Sequence, residues 1–193
     1  MTLDIKGGLK NTPPSANKYV VVEELLSNAI DSYLIRRKED LNIPKLAITF
    51  EIDFYQKSLF TDGEYDLAIS CLENGAGFCN EQVKAFVTKD STYKDYLHIE
   101  GLGKCKGAGR IQFFHYFETL DIDSVYLDKD KLTRRKLSVK PETREISESH
   151  FFQCDLESTD INTKVMLKGI KKNSFKNQND ILTIRKDFSA LIL

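Results

Sequence analysis

Three observations predict an α+β fold. A long helix near the N-terminus carries apolar residues at three- and four-residue steps, an antiparallel pair of strands follows it, and a second run of strands lies beyond a long glycine-bearing loop. Residues 1–14 hold adjacent glycines and Pro13-Pro14, which suggests an extended arm leading into the helix. Ser15 is the expected N-cap, and the helix should run to about Glu39 before Asn42 and Pro44 end it. Its apolar stripe is Val22, Leu25, Leu26, Ala29, Ile30, Tyr33 and Leu34. Glu24, Asn28 and Asp31 form a second stripe, roughly opposite the first.

Residues 45–55 alternate around Leu46, Ile48, Phe50, Ile52 and Phe54, the pattern of a half-buried strand. Thr61-Asp62-Gly63 should turn the chain into an antiparallel strand over Tyr65 to Leu72, which delivers Glu73-Asn74-Gly75-Ala76-Gly77-Phe78 at its end. A short helix is expected from about Asn80 through Phe86. From Val87 to Gly109 there is no clear period and four of the ten glycines fall there, so a long functional loop is expected, with Tyr93-Lys94 in a packing role. A buried short helix over Arg110 to Phe117 comes next. Strands are then expected at 119–127, 131–139, 149–156 and 163–170, with Asp128-Lys129-Asp130 as a hairpin turn. Lys171 to Asn179 reads as a loop and Asn179 to Leu193 as a helix.

Composition narrows the function classes. The 193 residues, 41% hydrophobic and 30% charged, are ordinary for one globular domain, which a longer protein could carry as its N-terminal part. Lys and Arg number 28 against 29 Asp and Glu, so net charge gives no footprint for nucleic acid or an anionic membrane. Arg134-Arg135-Lys136 and Lys168 to Lys172 read as solvated basic faces, and His98, His115 and His150 as ordinary scattered histidines. Cys71, Cys79, Cys105 and Cys154 include no CxxC pair and no close histidine, which argues against zinc and for reduced thiols. No apolar run is long enough to span a membrane and no signal pattern opens the chain, so a soluble, cytoplasmic protein is expected.

Two stretches carry chemistry. Glu24 and Asn28 lie one helical turn apart, so a carboxylate that holds a water sits beside an amide oxygen able to bind a hard cation, a pairing suited to Mg-assisted phosphoryl transfer. Gly101-Leu102-Gly103-Lys104-Cys105-Lys106-Gly107-Ala108-Gly109-Arg110 precedes a helix whose unpaired amides could receive phosphate, with Lys104, Lys106 and Arg110 adding charge. It is neither a Walker P-loop nor a Rossmann fingerprint.

In these residues the chain resembles the GHKL, or Bergerat-fold, ATP-binding domain shared by gyrase B, heat-shock chaperones, histidine kinases and MutL. Glu24 to Asp31 matches that family's first motif, ExxxNAxD. Glu73 to Phe78 resembles the second, DxGxG with a following apolar residue. Gly103, Gly107 and Gly109 resemble the third, and Thr163 opening a late strand resembles the fourth. The four occur in family order across roughly residues 15–170.

The resemblance implies a two-layer fold, a mixed and mostly antiparallel sheet with helices on one face, covering residues 1–193 as one domain with a lid at about 88–106. It implies ATP and Mg2+ as ligands, Glu24 as the base that polarises the attacking water, Asn28 as the Mg ligand and Asp31 as polar support. Gly75 and Gly77 would let backbone approach the nucleotide; Gly103, Lys104, Lys106, Gly107, Ala108 and Gly109 would wrap the phosphates; Thr163 would help hold the adenine end. Two positions depart from the family: the adenine-reading Asp is Glu73, and the Gly usually before the motif-four Thr is Asn162. The implied function is ATP hydrolysis, slow in the isolated domain, with lid closure driving a conformational switch through a homodimer or a downstream domain. The alternatives are a non-catalytic nucleotide sensor and, further behind, a histidine-kinase-like phosphotransferase.

Overall fold

The computed structural model describes residues 1–17, 19–56, 65–88, 91–103 and 109–171. The expected Thr61-Asp62-Gly63 turn, Lys104, Lys106, Gly107, Ala108 and the helix at 179–193 lie outside them.

The N-terminal residues are not an extended arm. Thr2–Asp4 forms strand β1 and Ile5–Asn11 helix α1, because Leu3 and Ile5 are buried and the Asp4 carboxylate caps the helix by accepting from the Gly7 amide at 2.8 Å. The adjacent glycines serve packing: a Cβ at Gly8 would stand 2.6 Å from Ile111 Cδ1 on the neighbouring helix. Ser15 is not the cap of the long helix either. Its backbone is tied to a later helix, the amide donating to Gln112 Oε1 at 3.0 Å and the carbonyl accepting from Tyr116 Oη at 2.7 Å, so helix α2 starts at Val20 and ends at Glu39.

The buried stripe of α2 is Val21, Leu25, Ala29, Tyr33 and Ile35, with Asp31 also buried. Leu26 and Ile30, expected inside, are 39% and 36% exposed. The inward face is thus rotated by roughly one residue step, about 100°, toward the polar stripe. Glu24, Asn28 and Asp31 therefore border the buried face instead of opposing it.

Strands β2 (Ile48–Gln56) and β3 (Tyr65–Glu73) pair antiparallel, then α3 (Asn80–Val87) and α4 (Gly109–Tyr116) lead to β4 (Phe117–Asp128) and β5 (Lys131–Val139), joined at Lys129-Asp130. The strand expected at 149–156 is broken up. Glu145–Ser147 is β6, paired with β1; Glu148–His150 is a 3-10 turn held by Ser147 and His150 capping each other; Phe152–Cys154 is β7. The last strand, β8, is Asn162–Ile170.

The main sheet runs β2-β3-β8-β4-β5-β7, and every pair among the described residues is antiparallel, so the expected mixture is absent there. The fold is an α+β sandwich. Cys71, Val165, Ile122 and Leu137 lie in register on the sheet face that packs on α2 and α4, with Ile69, Leu167, Leu120 and Val139 in the next row. The opposite face carries charge pairs, Lys164 with Glu51 at 2.7 Å and Arg134 with Asp123 at 2.7 Å. No described helix is long and apolar enough to cross a membrane.

Candidate functional site

One more register row completes the helix-side face, and it is polar. Glu73 on β3 pairs with Thr163 on β8, Thr163 with Ser124 on β4, and Ser124 with Arg135 on β5. All four are buried. Glu73 and Thr163 of this row floor one end of a cavity of about 430 Å³ whose wall is the polar side of α2.

Polar groups this deep require partners. The Thr163 hydroxyl bonds to Glu73, and its oxygen lies 2.9 Å from Ser124 Oγ, which in turn accepts from the Phe78 amide at 3.0 Å. Either hydroxyl of the Ser124–Thr163 pair can donate to the other, and the pair links Glu73 to the Phe78 amide. Arg135 fixes the other backbone group of the same residue, its guanidinium donating to the Phe78 carbonyl at 2.7 Å and to Asn80 Oδ1 at 2.9 Å. Gly77 lies at φ +74°, and a Cβ there would stand 2.7 Å from Tyr126 Cβ, so only glycine lets this loop rest on the sheet.

Glu73 accepts from the Gly75 amide and from Ser32 Oγ of α2 at 3.2 Å, while Ser32 Oγ also accepts from the Ala76 amide at 3.1 Å. Arg36 adds a bond to the Asn74 carbonyl at 2.7 Å. The glycine loop is thereby fastened to the helix. Burial pushes the Glu73 carboxyl up to about 7, against the opposing pull of the Gly75, Ser32 and Thr163 bonds and of nearby Arg36.

On the α2 wall, Asp31 is the most enclosed carboxylate. It receives the Lys94 ammonium at 2.5 Å and the Gly103 amide at 2.8 Å, and thus ties down two points of the 91–103 segment. The same ammonium lies 3.4 Å from Asn28 Oδ1. Glu24 sits against the start of α4, with its carboxylate packed on Gly109 where a Cβ would overlap it. Arg110 is committed elsewhere: it donates to the carbonyls of Ala85 at 2.8 Å, Phe86 at 2.5 Å and Thr88 at 2.8 Å, closing the C-terminus of α3.

Glu24, Asn28, Asp31, Glu73, Gly77, Gly103, Gly109 and Thr163 all line the cavity, while Gly75 lies behind Glu73 against Ser32. Sequence reasoning missed Ser32, Ser124 and Arg135, and read Lys94 as packing. A signal existed for two of them. Arg135 shares strand parity with Leu137 and Val139, and Ser124 with Leu120 and Ile122, so both had to face inward if those leucines did. Arg134 and Lys136 do face outward, onto Asp123. Lys171 of the second basic cluster is half-buried, its ammonium donating to the Phe114 carbonyl at 2.5 Å.

Among the described residues no group of three or more His, Cys, Asp or Glu side chains is placed to hold a metal ion. Cys71, Cys79 and Cys154 are free thiols, and burial pushes Cys71 up to about 12.

No protein-family model matches the chain, and no curated protein matches its sequence. Among solved structures, the chain is similar to the N-terminal domain of a DNA repair protein, at 18% identity and a TM-score of 0.48 over 89% of this chain and 43% of that one. It is also similar to the ATPase and transducer domains of DNA topoisomerase II from Balamuthia mandrillaris, at 16% identity and a TM-score of 0.46 over 77% of this chain and 36% of that one. The chain thus spans less than half the length of either.

Proposed function

We propose that this chain is a GHKL-type domain that binds ATP with Mg2+ in the cavity between α2 and the sheet and hydrolyses it. One observation carries the reading: a carboxylate, an amide and a carboxylate along one helix face the same cavity as a buried Glu–Thr pair on two adjacent strands. A volume of about 430 Å³ suits a nucleotide, within the range of roughly 300 to 1,000 Å³ usual for small-molecule sites.

The adenine end belongs at Glu73 and Thr163. A carboxylate offers about four lone-pair sites, and Gly75, Ser32 and Thr163 take three, which leaves one for the exocyclic amino group or a bridging water. The triphosphate then extends along α2 toward Glu24. The donor set fits Mg2+: Asn28 offers a hard amide oxygen at the cavity, a position that Lys94 Nζ already marks as favourable for positive charge. Mg2+ keeps most of its ligands as water and phosphate, so a single protein oxygen suffices, and when bound it offsets the charge of the phosphates.

Glu24 takes the proton from the attacking water. Its place at the first turn of α4 sets the carboxylate against the positive end of that helix, which helps hold it in position. The 91–103 segment, held by Asp31, belongs to a lid over the phosphates, and its closure is the switch that a second copy or a following domain would read.

Calorimetric titration with ATP, ADP and GTP, with and without Mg2+, followed by phosphate release, tests the reading. Mg-dependent ATP binding with phosphate release is expected. Binding without release identifies a nucleotide sensor, label retained on the protein identifies a phosphotransferase, and no binding at all overturns the proposal.

A further inference from the structure

The two edges of the main sheet are built differently. β7 closes one edge with three residues, a length that offers little to a pairing strand. β2 forms the other edge with nine, and its register with β3 runs without a bulge from Ile48 opposite Glu73 to Gln56 opposite Tyr65. It holds neither proline nor lysine, the residues that most often blunt an exposed edge. Among the described residues β2 pairs with β3 alone, so the peptide groups along its outer side point away from the sheet.

Side chains at this edge are as incomplete as the backbone. Phe50, Ile52 and Phe54 stand opposite Cys71, Ile69 and Leu67. The β3 members are almost wholly buried under α2, while the β2 members are only half-buried. On α2, Leu26 and Ile30 share a stripe with Tyr33, whose hydroxyl donates to the Pro44 carbonyl at 3.1 Å on the approach to β2. That stripe therefore borders the β2 side of the helix, and Leu26 and Ile30 are exposed along it. One more strand beside β2 would set its inward side chains between these two apolar rows and pair the open backbone groups.

Charge selects the occupant. Glu51 and Asp53 are the charged residues of β2, both acidic and both exposed on the face away from the helices, where Lys164 pairs with Glu51 at 2.7 Å. Two β2 edges meeting antiparallel about a two-fold axis at Ile52 would set each Glu51 against an Asp53, which disfavours a second copy. We propose that the β2 edge is a docking site for an extended segment of a partner protein, one that alternates apolar residues with lysines or arginines. Its apolar side chains turn to Leu26 and Ile30, its basic ones to Glu51 and Asp53, and its backbone pairs with β2. The assignment is independent of the nucleotide site.

Calorimetric titration of the full chain with synthetic peptides of nine residues, the length of β2, tests it. The probe alternates valine and lysine. Its controls are a peptide of the same composition with the two residue types in separate blocks, an alternating valine and glutamate peptide, and the probe with its backbone amides N-methylated. The alternating valine and lysine peptide should bind roughly tenfold or more tighter than the first two controls, and N-methylation should abolish binding. Ile30→Ser should weaken the probe and Asp53→Lys should reverse the preference toward the glutamate peptide, with thermal unfolding of each variant as the folding check. Equal binding of the alternating and blocked peptides overturns the proposal in favour of plain charge attraction. Binding that survives N-methylation overturns the strand pairing, and no binding by the probe overturns the site. A dimer of the free chain that the probe disperses, read by sedimentation, overturns it in favour of a second copy.

Discussion

The hydroxyls of Ser124 and Thr163 lie 2.9 Å apart on adjacent strands, and each side chain is almost wholly removed from solvent. They link the Phe78 amide to the Glu73 carboxyl. Thr163→Val should therefore cost about 1 to 3 kcal/mol of stability, because it strands the Ser124 hydroxyl and removes a donor from Glu73. Urea unfolding measures the cost, and an unchanged midpoint would show that the chain carries no energy.

Glu73 makes folding depend on pH. Its carboxyl moves from 4.5 to about 7 on burial, so between those values the folded chain keeps a proton that the unfolded chain releases. Stability from this group is full below about 4.5 and declines as pH rises to about 7, by on the order of 3 kcal/mol in all. Glu73→Gln should flatten that decline. Unfolding curves of both proteins across the window, compared as differences, check it.

Glu24→Ala should retain ATP binding and lose turnover by about a hundredfold or more, as expected for a positioned general base. Glu23 is the control. It points to the helix entry, where its carboxylate accepts from Asn17 Nδ2 at 2.7 Å, and Glu23→Ala should keep its activity. Equal phosphate release by parent and Glu24→Ala would remove Glu24 from the chemistry.

Asn28→Ala should weaken ATP binding in Mg2+ and leave binding in EDTA almost unchanged, since the amide oxygen acts through the cation. Titrations with and without the metal make the comparison. A parent protein with equal affinity in both conditions would dispose of the metal role.

Gly77→Ala should destabilise the chain by about 1 to 3 kcal/mol or more, from a strained positive φ together with the Cβ overlap on Tyr126. The thermal midpoint should fall, and a midpoint equal to the parent's would mean the loop can lift from the sheet at no cost.

Long periodic elements were legible in the sequence: the α2 helix, the β2–β3 pair and the β4–β5 hairpin follow from their own alternation. The α2 face was misjudged because periodicity reports which residues are apolar, while a cavity beside the core lets Asp31 be buried and leaves Leu26 and Ile30 outside. β1 and α1 were illegible because three- and seven-residue elements have little intrinsic stability. They exist through Leu3, Ile5 and the fit of Gly8 against Ile111. Glu24, Asn28 and Asp31 could be found by spacing within one helix. Lys94 could not, since 63 residues separate it from Asp31 and only the folded chain joins them.

The register row of Glu73, Thr163, Ser124 and Arg135 sets how this protein can change over generations. Point substitutions alter one member and leave three aligned, but a one-residue deletion within a strand turns every later side chain to the opposite face. In β4 such a slip would carry Asp123 or Val125 to the place of Ser124, setting an outward ion-pair partner or an aliphatic chain against Thr163. Insertions and deletions are thereby confined to the connections, and lineages should diverge in length at loops such as 155–161 while these strands keep their residue count.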